Sequence, residues 1–115
     1  MSLRSSGQVS RGWFLMVKLV AFYKKPEDVE SFEKHYFEVH MPLVAKIPGL
    51  IRSEVSKLNG FPGQDARYYM MAEMYYENMD KFNEGMASPE GKAAGRDLMG
   101  FAKQYVEMTI GEVLE

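Results

Sequence analysis

The chain divides into segments with two different hydrophobic periods. Residues 16–23, Met-Val-Lys-Leu-Val-Ala-Phe-Tyr, are rich in β-branched and aromatic residues and predict a strand. Lys24, Lys25 and Pro26 form a turn, with Pro26 placed near the first position of a helix and Glu27 and Asp28 in its first turn. Val29, Phe32, Tyr36, Val39 and Leu43 then recur at spacings of three and four, the apolar stripe of a helix, which Pro42 is expected to end or bend near His40. After Pro48-Gly49, residues 50–58 predict a second strand, and Gly49 is expected at positive φ. Residues 59–65 are dense in turn formers, and residues 67–76 predict a third strand. Asn78 is placed to cap a short helix carrying Met79, Phe82 and Met86. Ser88 and Pro89 start another helix running to about Lys103, and residues 104–114 predict the fourth strand.

The order β-α-β-β-α-β is that of an α+β, ferredoxin-like sandwich, in which helices cover one face of a four-stranded antiparallel sheet. The two-residue period assigns Val17, Leu19, Ala21, Tyr68, Met70, Ala72, Met74, Val106, Met108 and Ile110 to the face beneath the helices. The opposite face receives Lys18, Val20, Phe22, Arg52, Glu54, Tyr69, Met71, Glu73, Tyr75, Tyr105, Glu107 and Thr109. That mixture is too aromatic for a free surface and too charged for a core. It predicts a homodimer through this sheet face, with Tyr69, Tyr75 and Tyr105 in the interface and the charges paired between protomers.

At 115 residues the chain makes one domain, placed at residues 13–115. Residues 1–12 are Ser/Arg/Gly-rich, have no period, and are expected to be disordered or an added extension. A net charge of −2 without charge runs argues against a nucleic-acid partner or an anionic membrane surface. No apolar run approaches the roughly 18 residues that span a bilayer. The absence of cysteine excludes disulfides and thiolate chemistry and fits a cytoplasmic protein. Ten Met and seven Tyr suit either a soft core or a pocket for a flat, hydrophobic small molecule.

Candidate chemistry concentrates in residues 32–49, which contain both histidines. Tyr36 and His40, four residues apart, fall on one side of a helix. A histidine titrating near neutrality is a usable acid or base, and a phenol can donate to a carbonyl or enolate oxygen. The pair suits proton abstraction beside a carbonyl, with Tyr68, Met70, Met74 and Met108 as the opposing substrate-binding wall. The structural alternative makes Tyr36 a core residue and His40 a local cap before Pro42. His35 points about 100° from Tyr36, toward solvent, and Asp97 reads as a surface helix charge beside Arg96. Two histidines five apart do not share an α-helical face, so no metal is expected, and no cofactor either. Haem would need an axial ligand; His40 could serve in principle, but nothing else in the sequence supports it.

The run Phe32…Tyr36…His40-Met-Pro-Leu-Val…Pro48-Gly49, followed by Ser88-Pro-Glu-Gly…Asp97-Leu-Met-Gly-Phe101, resembles the EthD family of the dimeric α+β-barrel superfamily over about residues 16–114. The resemblance implies two ferredoxin-like protomers packed sheet to sheet, each with a small-molecule pocket between sheet and helices. Superfamily members include lactone isomerases, cofactor-free monooxygenases, polyketide cyclases and haem enzymes. The expected function is therefore a small cofactor-independent enzyme acting by proton transfer on a cyclic or aromatic carbonyl compound, as an isomerase, cyclase or monooxygenase. The alternatives are a non-catalytic binding protein for a hydrophobic metabolite and a structural dimeric module.

Overall fold

The computed structural model describes residues 15–114; the expectation placed on residues 1–12 lies outside them. The elements are β1 (Val17–Tyr23), α1 (Val29–His35), a π-helical turn (Tyr36–His40), α2 (Met41–Val44), β2 (Leu50–Lys57), β3 (Met70–Tyr76), α3 (Met79–Ala87), α4 (Pro89–Ala102) and β4 (Val106–Glu112). The four strands form one antiparallel sheet in the order β2-β3-β1-β4, which is the ferredoxin-like arrangement. The helices cover one face. Val17, Ala21, Tyr23, Met70, Ala72, Met74 and Tyr76 meet Phe32, Tyr36, Phe82, Ala94 and Leu98 there in a single core.

Local chemistry accounts for most boundaries. Asp28 caps α1 by accepting from the Ser31 amide, so the helix begins at Val29 and Pro26 lies in the preceding turn instead of at the first helical position. Asn78 caps α3 through the Lys81 amide, and Ser88 caps α4 through the Gly91 amide with Pro89 first in the helix. Gly49 has φ +86°, as its position after Pro48 requires.

The helix predicted through His40 does not stay α-helical. The Met41 amide donates to the Tyr36 carbonyl five residues back, and the widened turn spans Tyr36–His40. Pro42 follows at once, where a proline ring crowds the carbonyl four residues before it, and widening the preceding turn relieves that crowding.

The assignment of faces needs three corrections. The third strand begins at Met70, not Arg67. Before it the chain bends, so Tyr68 packs at a tilt against Phe22 and donates to Glu107 on the open face, while Tyr69 turns to Phe32 and Glu33 on the helical side. Tyr105, just ahead of β4, also packs edge-on against Phe32 instead of lying on the open face. The open face keeps Phe22, Met71 and Tyr75 of the sequence assignment, and Tyr68 joins them. Its charges find partners within the chain. Lys18 pairs with Glu73 at 2.7 Å, Arg52 with Glu54, Glu107 with Lys24, and the Arg52 guanidinium lies over the Tyr75 ring.

Helices α3 and α4 approach so closely that a Cβ on Gly91 would stand 2.1 Å from the Gly85 carbonyl oxygen. Backbone atoms on both sides leave nothing flexible to yield. We expect Gly91→Ala to lower unfolding free energy by about 1–3 kcal/mol or more, as overpacking does. Urea denaturation compared with the exposed-site control Gly100→Ala, where a Cβ meets nothing within 4 Å, measures it.

Candidate functional site

Small side chains create the site. On α4, Ala94 and Gly95 line the space over Ala21 of β1, and this shortage of bulk goes with a cavity of about 200 Å³. Tyr36, His40 and Val44 form its roof, and Leu19, Met74 and Met108 line the sheet side. Gly95 is exposed and Met108 half-exposed, so the cavity opens to solvent between α4 and β4.

Of the residues singled out in the sequence, Tyr36, His40, Met74 and Met108 share this cavity. Met70 and Tyr68 do not. Met70 is buried core opposite Tyr23, six strand positions from Tyr76, and Tyr68 lies on the open face. A larger, open groove of about 820 Å³ runs along the loop between β2 and β3 past Glu33, Arg67 and Tyr69, away from His40.

Asp97 is not a surface charge. Its two carboxylate oxygens lie 2.9 Å from His35 Nε2 and 3.0 Å from His40 Nδ1, so it bridges both histidines. Side-chain exposure falls from 36% at His35 through 17% at Asp97 to 6% at His40. A spacing of five misaligns two residues by about 140° on an α-helix. The π-helical turn has more residues per turn, and it brings both imidazoles to one carboxylate. Phe101 completes the cluster, 4.3 Å from the His35 ring and 5.3 Å from the His40 ring between centroids.

Burial pushes the His40 pKa below its ordinary 6.5 and outweighs the opposing pull of Asp97. His40 is therefore predominantly neutral at pH 7. A carboxylate at Nδ1 selects the tautomer that carries its proton there, which leaves Nε2 as the basic nitrogen. Tyr36 sits beside it, with ring centroids 5.5 Å apart, and burial raises the Tyr36 pKa to about 12, so the phenol stays protonated. Burial, with Tyr36 beside it, pushes the Tyr23 pKa up as well, so both phenols stay protonated. At the far end of the cavity Tyr76 is fully buried and its hydroxyl has no hydrogen-bond partner among the described residues.

Sequence reasoning missed Asp97, Tyr23 and Tyr76. The two tyrosines share strand parity with Ala21 and Met74 and could have been found. Asp97 lies three residues after Ala94 and four before Phe101, within the buried stripe of α4.

These features define a ferredoxin-like α+β domain with a buried histidine–carboxylate pair at a small apolar cavity. The EthD domain family matches residues 24–104, and the chain belongs to that family. An uncharacterised 11.0 kDa protein from the thcB–thcC intergenic region of Rhodococcus erythropolis is 33% identical over 93 residues, 81% of this chain and 90% of that one. The crystal structure of an ethyl tert-butyl ether D (EthD) family protein from Bacillus halodurans is 43% identical, with a TM-score of 0.82 over 86% of this chain and 99% of that one. More distant structures share the fold alone. A dimeric ferredoxin-like protein of unknown function from Jannaschia sp. has 17% identity and a TM-score of 0.66, covering 85% of this chain and 99% of that one. A variant of SnoaB, a cofactor-independent oxygenase from Streptomyces nogalater, has 17% identity and a TM-score of 0.64, covering 87% and 94%. No described helix is long and apolar enough to cross a membrane.

Proposed function

We propose that this protein is a cofactor-independent enzyme that abstracts a proton next to the carbonyl of a cyclic or aromatic compound. The observation that carries the reading is the state of His40: buried, neutral, oriented by Asp97 through Nδ1, and at the wall of a cavity. Nε2 takes the proton from carbon, the C–H electron pair forms the enolate C=C bond, and the carbonyl π pair moves to the oxygen. Tyr36 donates to the resulting enolate oxygen. The imidazolium, held by Asp97, then returns the proton to the same or another atom of the substrate. Tyr36 and His40 are the catalytic residues of this reading, Met74 and Met108 are substrate contacts, and Asp97 is a positioning residue.

The cavity supports this reading over a purely structural module, because a structural His40 has no use for an open space beside it. The simplest test is deuterium exchange. With the protein in D₂O, a small neutral aryl ketone such as 4-hydroxyacetophenone should gain deuterium at its α-methyl faster than in buffer, followed by proton NMR. No acceleration with this ketone or with acetophenone sinks the enzyme reading and leaves a binding protein. Tyr36→Phe should slow the exchange roughly tenfold to a thousandfold, the scale of losing one oxyanion donor.

A homodimer through the open sheet face belongs to the same proposal. Phe22, Tyr68, Met71 and Tyr75, all partly exposed, give that face an apolar and largely aromatic patch that a second copy would cover. The Jannaschia fold neighbour is itself described as dimeric. The cysteine-free composition suits a cytoplasmic setting.

A further inference from the structure

Resting on the acid/base reading above, we infer that the natural ligand is a neutral single-ring compound with oxygen functions at two opposite ends, one at His40 and the other at Tyr76. Three observations define that class. The first is size. A cavity of 150 Å³ accommodates benzene, and this one, at about 200 Å³, has room for one ring and a few substituent atoms. The second is charge. No Lys, Arg, Asp or Glu lines the cavity, and its histidine is neutral, so nothing there balances a carboxylate or phosphate.

The third is the position of the polar groups. Tyr36 packs on Tyr23, at the end of β1 that pairs with Met70. Tyr76 pairs with Val17 at the other end of β1. Tyr36 and Tyr76 thus line the one cavity from opposite ends of β1. The middle is apolar, formed by Ala21, Met74, Ala94 and Leu98. Buried hydroxyls are nearly always hydrogen-bonded, and an orphan costs free energy unless something else satisfies it. The Tyr76 hydroxyl is the one buried side-chain polar atom without a partner among the described residues. A ligand oxygen at that end supplies the missing partner, just as a carbonyl oxygen at the other end meets Tyr36.

The test is a calorimetric titration with four probes at a pH where the phenols are neutral. 4-Hydroxyacetophenone carries both oxygens, acetophenone lacks the distal one, 4-hydroxybenzoate is anionic, and 6-hydroxy-2-acetonaphthone has two rings. 4-Hydroxyacetophenone should bind at least about tenfold more tightly than each of the others, the scale of one well-made hydrogen bond or one steric or charge mismatch. Tyr76→Phe should reduce it to the affinity of acetophenone and leave acetophenone unchanged. The ligand-free variant should melt at the same temperature or higher, because it loses an unpaired hydroxyl. Equal affinities for the two ketones overturn the inference. So does an equal loss of both in Tyr76→Phe, tight binding of the benzoate or the naphthalene, or no binding of any probe. Tyr76-dependent binding without α-deuteration removes the enzyme reading and keeps the site. Deuteration that needs His40 but binding indifferent to Tyr76 does the reverse.

Discussion

Replacing His40 by Gln is expected to lower the rate of α-deuterium exchange by about 10²–10⁴-fold, the usual contribution of a positioned general base. Glutamine keeps a polar side chain in the site but has no basic nitrogen to face the cavity. The protein should remain folded, because His40 contacts Tyr36 and Phe101 through ring packing and Asp97 retains His35 as a partner. The wild-type pH profile should report the same group. Exchange needs neutral His40, whose pKa burial lowers below 6.5, so kcat/KM should hold through neutrality and fall only on the acid side of 6.5. A His40→Gln enzyme with wild-type exchange would move the base elsewhere.

Asp97→Asn should cost almost as much, about 10²-fold or more in kcat, approaching the ~10⁴ that the wrong histidine tautomer costs in a serine-protease triad. The carboxylate accepts the Nδ1 proton and stabilises the imidazolium that forms when Nε2 takes a proton. An amide has no charge, and its NH₂ group can donate to Nδ1 and drive the proton to Nε2, the nitrogen that must be free. KM should change little, since Asp97 does not line the cavity. Asp97→Glu, which restores charge at an imperfect distance, should recover part of the rate. Loss of KM and stability together, with no rescue by Glu, would make the bridge structural.

The fold was legible because its cues are local. Strand parity, the Asn78 and Ser88 caps and Gly49 after Pro48 each specify their element without help from tertiary contacts. Errors arose where the chain departs from a regular period. The bend ahead of Met70 exchanges the faces of Tyr68 and Tyr69, and a strand pattern carried back to Arg67 puts both on the wrong side. The π-helical turn does the same for the histidines. A period of 3.6 separates His35 from His40, while the wider turn unites them on Asp97. Asp97 itself was hidden by its type, since a helical aspartate beside Arg96 resembles a solvated charge until the stripe through Ala94, Leu98 and Phe101 is drawn around it. The cavity had a signature that pattern reading passes over: Ala94 and Gly95 mark where a helix withholds side-chain volume.

The central claim is that His40 is a neutral base with its proton on Nδ1, and long-range ¹H–¹⁵N NMR of the two imidazoles tests it most directly. With only His35 and His40 in the sequence, assignment needs one His40→Gln spectrum. At pH 7 the His40 nitrogens should show mainly the shifts of a neutral ring protonated at Nδ1, and the midpoint for protonating Nε2 should fall below pH 6.5. A His40 already cationic at pH 7, or neutral with its proton on Nε2, would contradict the account.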